Sequence, residues 1–89
     1  MKLEYCNDWE NDIYSIGGKE LATLKKVSII GREFNVKSRN VSVPYNDMGH
    51  EYYADSRHYF IKDPFFGNEI DLNTVIEKFE VIALKYTLE

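Results

Sequence analysis

V-S-V-P-Y-N-D-M-G-H-E-Y-Y-A-D, residues Val41 to Asp55, is the stretch on which the reading of the fold turns. Apolar residues alternate with polar ones, pause over four turn-forming residues, and alternate again. Alternation with a period of two is the mark of a half-buried strand, and two such runs around Asn, Asp and Gly predict a β-hairpin. With Asn46-Asp47-Met48-Gly49 as the loop, Tyr45 faces His50, Val43 faces Tyr52 and Val41 faces Ala54. One face then carries Val41, Val43, Tyr45, His50, Tyr52 and Ala54; the other carries Ser42, Pro44, Glu51, Tyr53 and Asp55.

A second four-residue loop over Lys37-Ser38-Arg39-Asn40 sets Val36 against Val41 and Phe34 against Val43. The expectation is a three-stranded meander with a core face of Phe34, Val36, Val41, Val43, Tyr52 and Ala54. A slip of one residue would put the apolar set on the wrong side, so the pattern selects this register. Pro44 has no N–H and must aim its nitrogen away from a partner strand or into a bulge.

The line V-S-V-P-Y-N-D-M-G-H-E-Y-Y resembles the central hairpin of SH3-like barrels of the Tudor type. The resemblance covers about one seventh of the chain and implies a fold, not a function. The fold expected is mainly β (or α+β): an SH3-like half-barrel or strongly bent antiparallel sheet with one short helix near 72–79. A sheet packed on a longer N-terminal helix is the alternative.

The rest of the chain supplies the other elements. Residues 1–20 read as an irregular or helical entry segment, with Trp9, Ile13, Tyr14 and Ile16 broken up by Glu10, Asn11 and Asp12 and ending in a Gly17-Gly18 turn. Val27 to Ile30 favour a strand, and Gly31 marks a bulge or a turn. His58 to Lys62 reads as a further strand. Asp71 or Asn73 can cap a helix bearing Leu72, Val75, Ile76 and Phe79, with Thr74 and Glu77 as an alternative capping box. Ile82, Leu84, Tyr86 and Leu88 then alternate with Ala83, Lys85 and Thr87 in a closing strand.

Size and composition bound the function. Eighty-nine residues hold one small globular domain, 1–89, and 44% hydrophobic residues rule out a disordered segment. No run is long and apolar enough for a membrane helix, and acids stand where a leader would be apolar, so no membrane partner and a cytoplasmic location are expected. A single cysteine, Cys6, fits a reducing compartment.

The net charge of −4 is unevenly spread: residues 19–39 carry +4, whereas 1–18, 40–63 and 64–89 are each acidic. An acidic total disfavours nucleic acid. The basic segment nevertheless sustains an alternative reading as a nucleic-acid-binding β-barrel using Lys25, Lys26, Arg32, Lys37 and Arg39, with Tyr53 as a stacking platform.

No cofactor motif is present: Gly17-Gly18 is a lone pair, and Gly31 and Gly67 stand alone. The two histidines, His50 and His58, with Glu51 and Arg57 supply the residue types of a small hydrolase, and that alternative is carried forward. Neither a catalytic nor a metal-ligating set is assigned. Clustered aromatics are the stronger signal. Exposed Tyr53 beside Phe65 and Phe66, with Arg57 and the acids Asp47, Glu51 and Asp55, makes a contact surface of the kind enriched at interfaces. The leading expectation is a non-catalytic protein-binding module, a small acidic inhibitor or immunity-type antagonist whose partner has a basic surface. The chain itself is expected as a monomer, or as a homodimer through an open sheet edge.

Overall fold

The computed structural model describes residues 2–8 and 11–89. In chain order the elements are β1 (Leu3–Asp8), β2 (Asn11–Ile16), β3 (Lys19–Ile29), β4 (Arg32–Asn35), β5 (Lys37–Asp47), β6 (His50–Lys62), β7 (Glu69–Asp71), α1 (Leu72–Lys78) and β8 (Val81–Leu88). The fold is mainly β, with two sheets and one short helix among the described residues. Neither sheet is closed into a barrel or strongly curled, which corrects the SH3-like half-barrel and the strongly bent sheet.

The first sheet is organised around β3. β2 pairs with its start, β4 with its end and β8 along most of its length, while β1 pairs with β2. The N-terminal segment is therefore a hairpin, not an irregular or helical entry. Leu3 lies opposite Ile16 and Tyr5 opposite Tyr14, and burying Leu3, Tyr14 and Ile16 together outweighs the polar residues between them. Trp9 and Glu10, part of that expected segment, lie outside the described residues.

Three hairpins turn on residue pairs with positive φ: Gly17-Gly18, Ile30-Gly31 and Met48-Gly49. Two left-handed residues in succession make a type I′ turn, whose twist matches that of the strands it joins. The Ile30-Gly31 turn overturns the expected meander. It folds β4 back on β3, so that Phe34 faces Val27 instead of Val43. Lys37-Ser38-Arg39-Asn40 is then not a loop but the start of β5, paired with Arg57 to Phe60.

The second sheet is β5-β6-β7. β6 is one strand through His58, joining two segments expected to be separate. The Val41–Asp55 hairpin exists, but its loop is the two residues Met48-Gly49, and Asp47 faces His50. Tyr45 consequently faces Tyr52, Val43 faces Ala54 and Val41 faces Ser56, two residues away from the expected register. An even shift preserves the faces, so the two face sets stand.

The core lies between the inner side of the first sheet, the base of β6 and α1. Leu3, Tyr14, Leu24, Val27, Ile29 and Val81 meet Tyr59, Ile61, Leu72 and Val75 there. Phe34 and Val36 pack against this cluster. The arm members of the expected core face do not: from Lys37 to Asp55 no residue is buried. β8 likewise turns Val81 and Ala83 inward and leaves Ile82, Leu84, Tyr86 and Leu88 partly exposed. α1 begins after Asp71, whose side chain makes no capping bond, and stops at Phe79, whose N–H donates to the Val75 carbonyl at 2.8 Å. Asn73 donates to the Tyr5 hydroxyl, inside the helix instead of capping it.

Candidate functional site

β5 and β6 form a two-stranded arm, paired without a break from Lys37–Phe60 to Asp47–His50. Eleven paired residues span about 35 Å, a large part of the molecule's longest dimension of 48 Å. The base of β6 is anchored by Ser56, Tyr59, Phe60 and Ile61, all buried. Arg39 binds Glu69 across the sheet and lies over the Phe60 ring, 4.5 Å from its centroid, locking β5 to β6 and β7 at the same end. Beyond these anchors, from Lys37 to Asp55, no residue of the arm is buried.

Period-two alternation places Glu51, Tyr53, Asp55 and Arg57 in one row on one face of β6. Tyr53 is 68% exposed, and its three charged neighbours are exposed as well. The row runs down into an open groove of about 460 Å³ at the base of the arm. Asp8, Asp12, Glu20 and Asn11 line this groove together with Arg57 and Tyr59. Acidic side chains thus continue from the tip of the arm into the groove, with Arg57 as the basic group among them.

Asp47 belongs to the opposite face, at the tip. Phe65 and Phe66 are displaced further. β6 continues nine residues past Tyr53 before the loop that bears them, a separation of about 30 Å along the strand. The expected patch uniting Tyr53 with the two phenylalanines is therefore divided into two surfaces. The phenylalanines, 79% and 81% exposed, sit on an ordered knuckle. Both of their N–H groups donate to Asp63 Oδ1, and Gly67 N–H donates to the Asp63 carbonyl at 2.8 Å.

The two histidines are separated in the same way. His50 near the tip and His58 at the base are eight positions apart along β6, about 26 Å. His58 Nδ1 stands 4.0 Å from Asp12 Oδ2, and Asp12 also accepts a hydrogen bond from the Tyr5 hydroxyl at 3.1 Å. Loss of solvation first, then the bond to Asp12, pushes the Tyr5 phenol above its ordinary pKa. Behind it, Tyr14 packs on Tyr5 and edge-on against Tyr59, with centroids 5.3 and 5.2 Å away. Burial above all, with the Asp12 charge second, drives the Tyr14 phenol upward as well. Its hydroxyl reaches no hydrogen-bonding partner among the described residues; the Asn73 main chain lies near it but falls short of bonding geometry. Among the described residues no group of three His, Cys, Asp or Glu side chains converges on a metal-sized point.

Lys25, Lys26, Arg32, Lys37 and Arg39 are spread over three strands, β3, β4 and β5. Two of them are neutralised, Lys26 by Glu33 at 3.4 Å and Arg39 by Glu69. Sequence reasoning missed Asp8, Asp12 and Glu20 as neighbours of Arg57. The alternation Leu3-x-Tyr5 and Tyr14-x-Ile16 around a polar centre was the signal that would have formed the hairpin carrying two of them.

Comparison with protein-family models, curated proteins and solved structures finds no match to this chain. Among the described residues no helix is long and apolar enough to cross a membrane.

Proposed function

We propose that this protein is a non-catalytic binding module that holds a basic protein partner along the arm. The observation that carries this reading is the row Glu51, Tyr53, Asp55 and Arg57 running into a groove with Asp8, Asp12 and Glu20. An exposed tyrosine offers a large amphipathic contact at little entropic cost, and acids around it complement a basic surface. The arm suits an inhibitor or immunity-type antagonist, because a projecting ribbon can be laid over another protein's active surface while the core stays apart. An exposed free thiol at Cys6 fits a cytoplasmic, reducing setting for that role.

The experiment is affinity capture from the native host with wild-type protein, Tyr53→Ala and Glu51→Lys/Asp55→Lys side by side, at two salt concentrations. Tyr53→Ala is expected to weaken capture about tenfold or more, as truncation of an interfacial tyrosine does. The charge reversals are expected to slow association and to remove the salt dependence. Equal capture of the same partner by all three proteins overturns the reading.

A further inference from the structure

Among the described residues the outer edge of β5 carries no strand: β5 pairs there with β6 alone. Isolated two-stranded ribbons are marginal in water, and a third strand is what ordinarily steadies them. β5 is an eleven-residue edge strand with no buried residue, and an open edge of that length is a template for pairing with another chain. We propose that a second copy of this chain supplies the missing strand, β5 pairing with β5 in antiparallel fashion about a twofold axis through Ser42.

Three features select that register. A two-residue loop closes on a hydrogen-bonded pair, here Asp47–His50, and bonded and non-bonded pairs alternate from there. The main-chain groups of Ser38, Asn40, Ser42, Pro44 and Asn46 consequently face the free edge. A twofold at Ser42 sets Ser42 against Ser42, Ser38 against Asn46 and Asn40 against Pro44, so edge-facing residues meet edge-facing residues.

Charge complementarity is the second feature. Lys37 at the base and Asp47 at the tip lie equally far from Ser42, and the axis brings each beside the other twice. On the same side Val41 meets Val43, and Arg39 meets the ring of Tyr45. Opposite charges and β-branched residues directly across an antiparallel pair are the favourable cross-strand combinations. Centring the axis on Asn40 would instead set Lys37 against Val43, and centring it on Pro44 would remove the donors from the middle of the interface.

The third feature is what the pairing does to side chains. A twofold perpendicular to the sheet keeps like faces together. The stripe Val41, Val43, Tyr45, Tyr52 and Ala54 of each copy then joins its mate across a continuous six-stranded sheet, β7-β6-β5-β5-β6-β7. Pro44 withholds one N–H per copy, opposite Asn40, which keeps the contact weaker than an uninterrupted ladder. Two rows of Glu51, Tyr53, Asp55 and Arg57 come to lie on one side of that sheet. The pairing uses the strand's edge and stands whether or not those rows bind a partner.

The test is the mass of the full chain in solution by analytical ultracentrifugation over a range of concentrations and salt. The expected result is a species of about twice 10.5 kDa that dissociates on dilution. Lys37→Asp places like charges opposite each other at both ends and is expected to weaken association about tenfold. Asp47→Lys does the same, and the double variant Lys37→Asp/Asp47→Lys restores the dimer. Cross-linking covers the case of a charge variant that fails to fold. In a Cys6→Ser background, Ser42→Cys sets two thiols across a bonded pair about 5.5 Å apart between Cα atoms, which suits a disulfide. Asn46→Cys in the same background meets Ser38 and has no thiol to join. Rapid oxidation of Ser42→Cys but not Asn46→Cys supports the axis. A monomer at all concentrations, or equal oxidation of the two variants, overturns it.

Discussion

Tyr45 and Tyr52 sit directly opposite one another on the arm, their rings stacked with centroids 5.6 Å apart and planes 27° from parallel. The pair lies on the apolar face of the arm, near its tip. Cross-strand aromatic pairs contribute about 0.5–1.5 kcal/mol beyond the area they bury. Tyr52→Ala is therefore expected to loosen the arm without unfolding the core. Hydrogen exchange is the readout: amides of residues 40–55 should exchange about tenfold faster, while those of β3 keep wild-type protection.

Ile30 and Met48 hold φ values of 51° and 52°, a conformation in which an L side chain crowds its own carbonyl, and a β-branched one most of all. Asn occupies this region at lower cost and precedes Gly in the favoured type I′ turn. Ile30→Asn is expected to stabilise the protein by about 0.5–1 kcal/mol, raising Tm by roughly 2–8 °C for a domain of this size. Met48→Asn should tighten the arm tip by the same mechanism. Thermal melts check the first and exchange at residues 46–51 the second.

Alkaline pH is expected to destabilise the fold through Tyr14. Its folded pKa lies above its unfolded value of 10.0. The unfolded chain releases this proton first as pH rises, so the stabilisation is complete below about pH 10 and declines above it. The slope approaches about 1.4 kcal/mol per pH unit for such a phenol. Tyr14→Phe removes this contribution and also removes a buried hydroxyl that has no partner among the described residues, whose burial costs about 1–3 kcal/mol. Denaturant titrations at pH 7 and pH 11 should show the variant at least as stable at neutrality and less sensitive to base.

Leu72 is fully buried beneath the first turn of α1, whereas Phe65 and Phe66 are largely exposed on their knuckle. Leu72→Ala is expected to cost about 2–5 kcal/mol, and Phe65→Ser/Phe66→Ser less than about 0.5 kcal/mol. Urea unfolding separates the two outcomes. A large loss in the double serine variant would mean that the knuckle packs against the body.

Much of this architecture was legible in the residues, and the exceptions have physical causes. The helix over 72–78 declared itself through Leu72, Val75 and Ile76, β8 through its alternation, and the Gly17-Gly18 turn through two residues free to take positive φ. Both faces of the arm could be read because facing depends only on parity. Its register could not be, because two- and four-residue loops share that parity and Asn46-Asp47 look as turn-like as Met48-Gly49. Lys37 to Asn40 read as a loop because an edge strand without burial carries no apolar pattern to mark it. Gly31 announced a bulge or a turn, but Ile30, β-branched and read as strand, concealed that the turn begins one residue earlier. At the N-terminus, Tyr14 and Ile16 were separated by polar neighbours, so the β1–β2 hairpin went unseen and with it the groove where Asp8 and Asp12 meet Arg57.

Quantitative capture from the native host decides whether the arm is the contact element. Wild-type protein, Tyr53→Ala and Phe65→Ser/Phe66→Ser are compared for one co-purifying partner under identical conditions. Tyr53→Ala is expected to lose about nine tenths of that partner, a tenfold effect typical of a central interfacial tyrosine, and the phenylalanine variant to keep it. Retention by Tyr53→Ala with loss from the phenylalanine variant would place the binding surface on the knuckle and not on the arm.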